Sequence, residues 1–282
     1  MSKIKQEKGL KRNTIDKYYT KDVVVEQCIN QVKKYIKILK DDLIIEPSAG
    51  NGAFISRIKE LSPKNYKFYD LEPENKEIIK EDFLELDFTQ FNNEYNKIHI
   101  IGNPPFGRQA SIAIKFIKKC CKFSNTISFI LPKSFKKDSM QKHFSSNFHL
   151  IFQTDLIENS FLVNDNESDV PCVFQIWECK DYIREKIKKI QPLHFKFVEK
   201  DSNPDISCRR VGVNAGIIMK EDGVSNKSIQ SHYFIKFTNN KTVDENIEKL
   251  KSIKFDFNNT VGPKSISKPE LIIEFNKALI TP

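Results

Sequence analysis

Asn103-Pro104-Pro105-Phe106 is the segment of this sequence best equipped for chemistry. Two consecutive prolines stiffen the turn and remove two N–H donors, so it presents acceptors: the Asn103 side-chain oxygen and the Pro104 carbonyl. Two fixed acceptors suit an exocyclic NH2 group, and Phe106 offers a flat face on which a planar base can stack. The amino group of a base is a poor nucleophile because its lone pair is delocalised into the ring. Holding both N–H bonds away from planarity restores the lone pair without a strong base, which fits an Asn in place of an Asp.

A second constellation precedes it. Glu46-Pro47-Ser48-Ala49-Gly50-Asn51-Gly52 follows a short apolar run, and Asp70 closes the next one. Glycines after a strand let the backbone approach a ligand, and an acid at the end of the following strand can accept from ribose hydroxyls. A dinucleotide fingerprint would want a third glycine where Ile55 stands, and no G-K-[ST] phosphate loop occurs. S-adenosylmethionine, which has an adenosine but no pyrophosphate, suits the pattern better than NAD or ATP. Glu46 would then lie near its cationic methionine moiety, with Asp82 accepting from the adenine amino group and Phe83 packing on the ring.

The elements around these residues must place both on one edge. Apolar periodicity predicts a helix over 23–39, a strand at 43–45, a helix near 54–61, strands at 66–69, 83–86 and 98–101, and a helix over 111–121. Further strands are expected at 127–131 and 150–156, a helix near 135–144, and a last strand at 169–177, antiparallel at the edge. Alternating strands and helices predict an α/β fold, a mostly parallel seven-stranded sheet with helices on both faces. Ligands in such folds bind beyond the carboxyl ends of the strands, where Gly50, Asp70 and Asn103 all fall. Short aromatic strand-like pieces and a closing helix near 270–279 predict a smaller C-terminal α+β module.

These residues together resemble the adenine-N6 amino-methyltransferases, a branch of the Rossmann-like class I methyltransferases that use S-adenosylmethionine. Glu46 to Phe54 resembles the first cofactor motif, Asp70-Leu71-Glu72-Pro73 the ribose-binding turn, Glu81 to Leu84 the adenine-contacting motif, and Asn103 to Phe106 the catalytic tetrapeptide. Tyr18-Tyr19-Thr20 is similar to the upstream motif, in which Thr20 would contact the methionine carboxylate. The motif order resembles the gamma arrangement of DNA adenine methyltransferases, and the likeness covers residues 14 to 180. It implies that the cofactor meets Thr20, Glu46, Pro47, Ser48, Ala49, Gly50, Gly52, Asp70, Leu71, Asp82, Phe83 and Asn103. It also implies that Phe161 stacks on the far face of a flipped base.

Length and charge set the frame. The 282 residues carry 46 Lys+Arg against 37 Asp+Glu, a net charge of +9. Residues 1–40 hold 11 basic and 4 acidic side chains, residues 41–184 hold 18 and 21, and residues 185–282 hold 17 and 12. Basic flanks around an acidic middle suggest a nucleic-acid partner, whose phosphates pair with Lys and Arg while a base is taken out of the stack. Arg108 behind the catalytic turn, the Arg209-Arg210 pair beside Gly212 and Gly216, and Lys264 are the candidate contacts.

The expected organisation is a basic tail (1–13), a methyltransferase domain (14–183) and a C-terminal recognition module (190–282). DNA is the expected substrate, with RNA, a protein glutamine amide, or a catalytically inactive binding module as alternatives. The six cysteines show no C-x-x-C spacing, so reduced core thiols and no metal site are expected. With neither a signal peptide nor a transmembrane run, an intracellular, cytoplasmic location away from any membrane is expected.

Overall fold

The computed structural model describes residues 18–61, 64–88, 91, 94–185, 190–220, 227–255, 257 and 263–280; the basic tail 1–13 lies outside them. Tyr19–Thr20 (β1) leads into Asp22–Tyr35 (α1). This helix buries Val24, Val25, Cys28, Ile29 and Val32 along one face, and it carries Asp22 in its first turn and Lys33 and Lys34 in its last, complementing the helix dipole. Next come Leu43–Glu46 (β2), Ile55–Leu61 (α2), Tyr66–Asp70 (β3), Ile79–Lys80 (β4) and Ile98–Gly102 (β5). Every residue of β2 and β5 is buried, as in a strand covered on both faces.

The chain continues through Ser111–Cys120 (α3), Thr126–Pro132 (β6), Asp138–Gln141 (α4), Phe148–Asp155 (β7), Phe161–Val163 (β8), Asn166–Ser168 (β9) and Cys172–Cys179 (β10). The seven-stranded sheet has the order β4-β3-β2-β5-β6-β10-β7. β2 pairs in parallel with β3 and β5, β3 with β4, and β5 with β6. β10 runs against β6, because Cys179 N donates to Asn125 O at one end and Lys133 N to Pro171 O at the other. The chain order reverses between β2 and β5, and the carboxyl ends of those two strands deliver Glu46 and Gly102-Asn103 to one edge. This is a doubly wound, Rossmann-like arrangement, as the sequence predicts.

Three expectations change. Residues 83–86 form a turn rather than a strand, because the Asp82 Oδ1 accepts from Leu84 N (2.9 Å) and its carbonyl from Glu85 N (3.0 Å). The strand lies earlier, at β4. The helix expected over 135–144 is a 3-10 turn at Lys133–Lys136 followed by the four-residue α4. The last strand is not at the edge: β10 lies between β6 and β7, and β7 takes the outer position.

The chain divides into two compact units, the first comprising residues 1–130, 150–170 and 174–179, the second residues 131–149, 171–173 and 180–282. In the first, Asp42, His99 and Thr126 form a buried polar chain at the amino ends of β2, β5 and β6, with His99 Nε2 3.1 Å from Asp42 Oδ2 and Nδ1 2.8 Å from Thr126 Oγ1. The second holds Phe195–Val198 (β11), Ile206–Arg209 (β12), Ile218–Lys220 (β13), His232–Phe237 (β14), Val243–Leu250 (α5) and Lys268–Ile280 (α6). Its antiparallel sheet, ordered β11-β14-β12-β13, shares a core with α5 and α6 built on Phe195, Ile206, Tyr233, Ile235, Leu250 and Phe275. Among the six cysteines, Cys28, Cys120, Cys172 and Cys208 are buried. Among the described residues no helix is long and apolar enough to cross a membrane.

Candidate active site

The turn after β2 is held open for a ligand by its own backbone. Ala49 N donates to Tyr69 O (2.8 Å), Gly52 N to Ala49 O (2.7 Å) and Glu74 N to Gly50 O (3.1 Å), which pins the loop to the end of β3. Gly52 has φ +88°, and a Cβ there would stand 2.7 Å from Ile55 Cδ1, so only glycine passes this point without strain. Asp70 closes β3 by accepting from Gly50 N (2.8 Å) and Glu72 N (2.9 Å), one amide on each carboxylate oxygen. The acid thus shapes the glycine loop and retains acceptor capacity, since a carboxylate offers about four lone-pair sites.

A pocket opens beside that loop, lined by Tyr18, Tyr19, Thr20, Glu46, Ser48, Ala49, Gly50, Asn51, Ala53, Phe54 and Asn103. Two buried atoms in its wall have no hydrogen-bond partner among the described residues: Glu46 Oε2 and Asn103 Oδ1. Burial, reinforced by the charge of Asp70, pushes the Glu46 carboxyl well above the usual carboxylate range. An orphaned buried acid of this kind is costly unless a donor or a cation completes it. Asn103 is oriented from two sides: its Nδ2 donates to Thr20 Oγ1 (3.2 Å), and its carbonyl accepts from Ser48 Oγ (3.2 Å).

Thr20 arrives by a route that apolar periodicity does not reveal. β1 pairs antiparallel with β8, setting Thr20 opposite Phe161, and β8 pairs with β9 to make a separate three-stranded sheet. Tyr19 OH donates to Glu74 Oε1 (2.6 Å), and Lys21 forms an ion pair with Glu167 of β9. The pocket therefore has a wall contributed by residues 18–20, and Tyr19, which sequence reasoning gave no role, belongs to it.

Residues 19–191 match the family model of the EDM2 methyltransferase-like domain. The chain belongs to that family. Within the EDM2 methyltransferase-like domain, the Glu46 turn, Asp70 and the Asn103 turn all fall in the matched span. The chain is 26% identical over 231 residues to Protein ENHANCED DOWNY MILDEW 2 of Arabidopsis thaliana, an alignment covering 70% of this chain and 17% of that protein. It thus spans about a sixth of the length of that curated relative. Similar solved structures include a candidate RNA methyltransferase from Pyrococcus horikoshii, 16% identical with TM-score 0.43, covering 61% of this chain and 92% of that one. A candidate class I S-adenosylmethionine-dependent methyltransferase from Listeria monocytogenes is 15% identical with TM-score 0.45, covering 64% and 65%.

In this EDM2 methyltransferase-like domain, Thr20, Glu46, Ser48, Ala49, Gly50 and Asn103 meet at the pocket, whereas Pro47, Gly52, Asp70, Leu71, Asp82 and Phe83 lie outside its lining. Phe83 is 2% exposed and stacks parallel on Phe116 with centroids 5.6 Å apart, in a cluster with Phe88, Tyr69 and Phe123. Phe161 is likewise buried, at 1% exposure, with its ring edge-on to Tyr18.

In the 103–106 turn Pro104 is buried, Pro105 exposed and Phe106 half-buried. The Phe106 carbonyl accepts from Ile112 N (3.1 Å) and Ala113 N (3.3 Å), joining the turn to the start of α3. Gly107, Gln109 and Ala110 all have positive φ, so backbone strain is concentrated just behind the turn, where Arg108 is exposed. In the second unit, Arg209, Arg210 and Lys264 come together: Gly212 N donates to Lys264 O (2.9 Å), and Val211 bridges to Ser265.

Proposed function

We propose that this chain transfers a methyl group from S-adenosylmethionine to the exocyclic N6 amino group of adenine in DNA. The observation that carries this reading is the pair of buried, unpartnered acceptors, Glu46 Oε2 and Asn103 Oδ1, in one pocket at the carboxyl edge of the sheet. The two acceptors complement two different donors. A buried carboxylate matches the ammonium of an amino-acid moiety, and a buried amide oxygen matches a planar NH2.

The residues present fit S-adenosylmethionine. Thr20, Glu46 and the 47–50 turn would hold its amino-acid end, Gly52, Asp70 and Leu71 its ribose side, and Asp82 its adenine edge. When bound, it supplies an electrophilic methyl on a sulfonium centre. Asn103 Oδ1 and the Pro104 carbonyl accept the two N–H bonds of the target amine, holding them out of the base plane so that the lone pair is available. The hydrogen bond to Thr20 occupies Asn103 Nδ2 and keeps the oxygen of the amide turned to the substrate. The side chain of Phe106, half-buried beside them, is placed to stack on the base.

We assign residues 14–183 to the catalytic domain and 190–282 to target recognition. Charge supports a nucleic-acid substrate: the second compact unit holds 23 basic and 14 acidic residues, the first 23 and 23, so the whole excess of +9 falls on the second. The test is incubation with methyl-labelled cofactor and duplex DNA, single-stranded DNA, RNA or a glutamine peptide. Label in adenine of DNA is expected; label only in cytosine, or only in protein, overturns the reading.

A further inference from the structure

Within the positively charged second unit, one surface combines rigid backbone, cations and exposed apolar side chains. Val213 is 88% exposed, at the tip of the loop that joins β12 to β13. A valine so placed contributes almost nothing to the core, so the fold gives no reason for an apolar residue there.

The loop is held in shape. Gly216 N donates to Arg209 O (2.7 Å), Ala215 N to Gly212 O (3.0 Å), Ile217 N to Asn214 O (3.2 Å), and Gly212 N to Lys264 O (2.9 Å). Gly216 has φ +95°, and a Cβ on it would stand 2.9 Å from Phe255 Cδ2, so the chain turns here in a way only glycine allows. Two more exposed apolar residues lie at its base: Ile217 follows the loop, and Ile229 belongs to the turn whose Ser231 carbonyl accepts from Arg210 N (3.0 Å).

Cations border this tip. Arg209 Nε donates to the Val211 carbonyl (3.1 Å), which folds the guanidinium along the loop, and Arg210 stacks 5.2 Å over the Tyr233 ring. Lys264, exposed and next to Ser265, which bridges to Val211, holds its ammonium 5.0 Å over the Phe257 ring. A rigid apolar tip flanked by arginine and lysine matches the chemistry of nucleic acid, in which apolar side chains pack on sugars and bases while cations take the phosphates.

We infer that the 209–217 loop is a nucleic-acid contact, with Val213 packing against sugars and bases and Arg209, Arg210 and Lys264 pairing with the flanking phosphates. The inference rests on the reading of the substrate as nucleic acid, and it adds where and how the second unit grips it. The two kinds of contact leave different signatures, because phosphate pairing is salt-dependent and apolar packing is not.

The test is fluorescence anisotropy of the full chain with a labelled duplex DNA, a matching RNA duplex and polyglutamate, across a salt series, for wild type, Val213→Ser and Lys264→Ala. Val213→Ser alters only an exposed side chain, so its folding is secure. It is expected to weaken nucleic-acid binding about threefold to tenfold with the salt slope unchanged. Lys264→Ala is expected to reduce the slope by about one. Tight wild-type binding to nucleic acid with both variants indistinguishable from it would overturn the inference and leave the catalytic reading standing. Polyglutamate bound as tightly as DNA would place an acidic protein on this surface and overturn it too, and a wild type that binds no nucleic acid would overturn both.

Discussion

Asn103 Nδ2 donates to Thr20 Oγ1 at 3.2 Å, a hydrogen bond between residues 83 apart in the chain. Asn103 directly follows β5, a central strand of the large sheet, and Thr20 belongs to the small β1-β8-β9 sheet. The bond decides which end of the Asn103 amide faces the pocket, and the end left over is the unpartnered oxygen. Thr20→Val is expected to lower kcat about tenfold while changing cofactor Kd less, because it frees the amide to rotate. Thr20→Ser, which restores the hydroxyl, is expected to recover most of the rate. An equal loss in Kd and kcat would make Thr20 a cofactor ligand first.

Removing the acceptor itself is a sharper change. Asn103→Ala is expected to abolish transfer, a loss of about 100-fold or more in kcat, with cofactor affinity nearly intact by calorimetric titration. Parallel loss of both would mean that Asn103 shapes the cofactor pocket.

Glu46 sets stability against binding. Its carboxyl is raised by burial and then by Asp70, so above the ordinary carboxylate range the folded state retains a proton that the unfolded chain releases. Stability therefore falls as pH rises through that interval. The isosteric Glu46→Gln is expected to raise the melting temperature at pH 7 while weakening cofactor binding about 10- to 100-fold, since a charge-assisted hydrogen bond is lost. Binding of a cationic ligand to the wild type should release a proton, read as a dependence of calorimetric enthalpy on the buffer. The absence of both effects would remove Glu46 from the site.

The glycine turn is a test of the local fold. Gly52→Ala must place a Cβ 2.7 Å from Ile55 Cδ1 and 3.0 Å from Asn75 Nδ2 at φ +88°. It is expected to cost about 1 to 3 kcal/mol in urea unfolding, and to weaken cofactor binding as the turn shifts.

The Asp42–His99–Thr126 chain predicts an acid response. Burial lowers the His99 pKa, an effect only partly opposed by Asp42, so the unfolded chain takes up a proton before the folded one. Stability is then fully present above the ordinary value of 6.5 and is lost as pH falls below it. His99→Phe is expected to cost about 3 kcal/mol at pH 7, by stripping a partner from the buried Asp42, and to make the loss between pH 7 and 5 shallower.

The first compact unit was legible because its signals are local. Apolar runs ending at Glu46, Asp70 and Asn103 put three chemical residues on one sheet edge. What escaped depends on long-range pairing. A two-residue strand such as β1 has no periodicity, so the wall that brings Thr20 to Asn103 has no signature beyond a tyrosine pair. An aromatic side chain looks the same in sequence whether it faces a base or, as Phe83 does, four other rings. The interior place of β10 depends on its register with β6 and β7, which alternation along the chain does not encode.

The most direct measurement is mass spectrometry of nucleosides from duplex DNA incubated with the protein and a trideuteromethyl cofactor, with Asn103→Ala alongside. The account predicts trideuterated N6-methyladenine from the wild type and none from the variant. Trideuteromethyl on cytosine alone, or equal N6-methyladenine from both proteins, would contradict it.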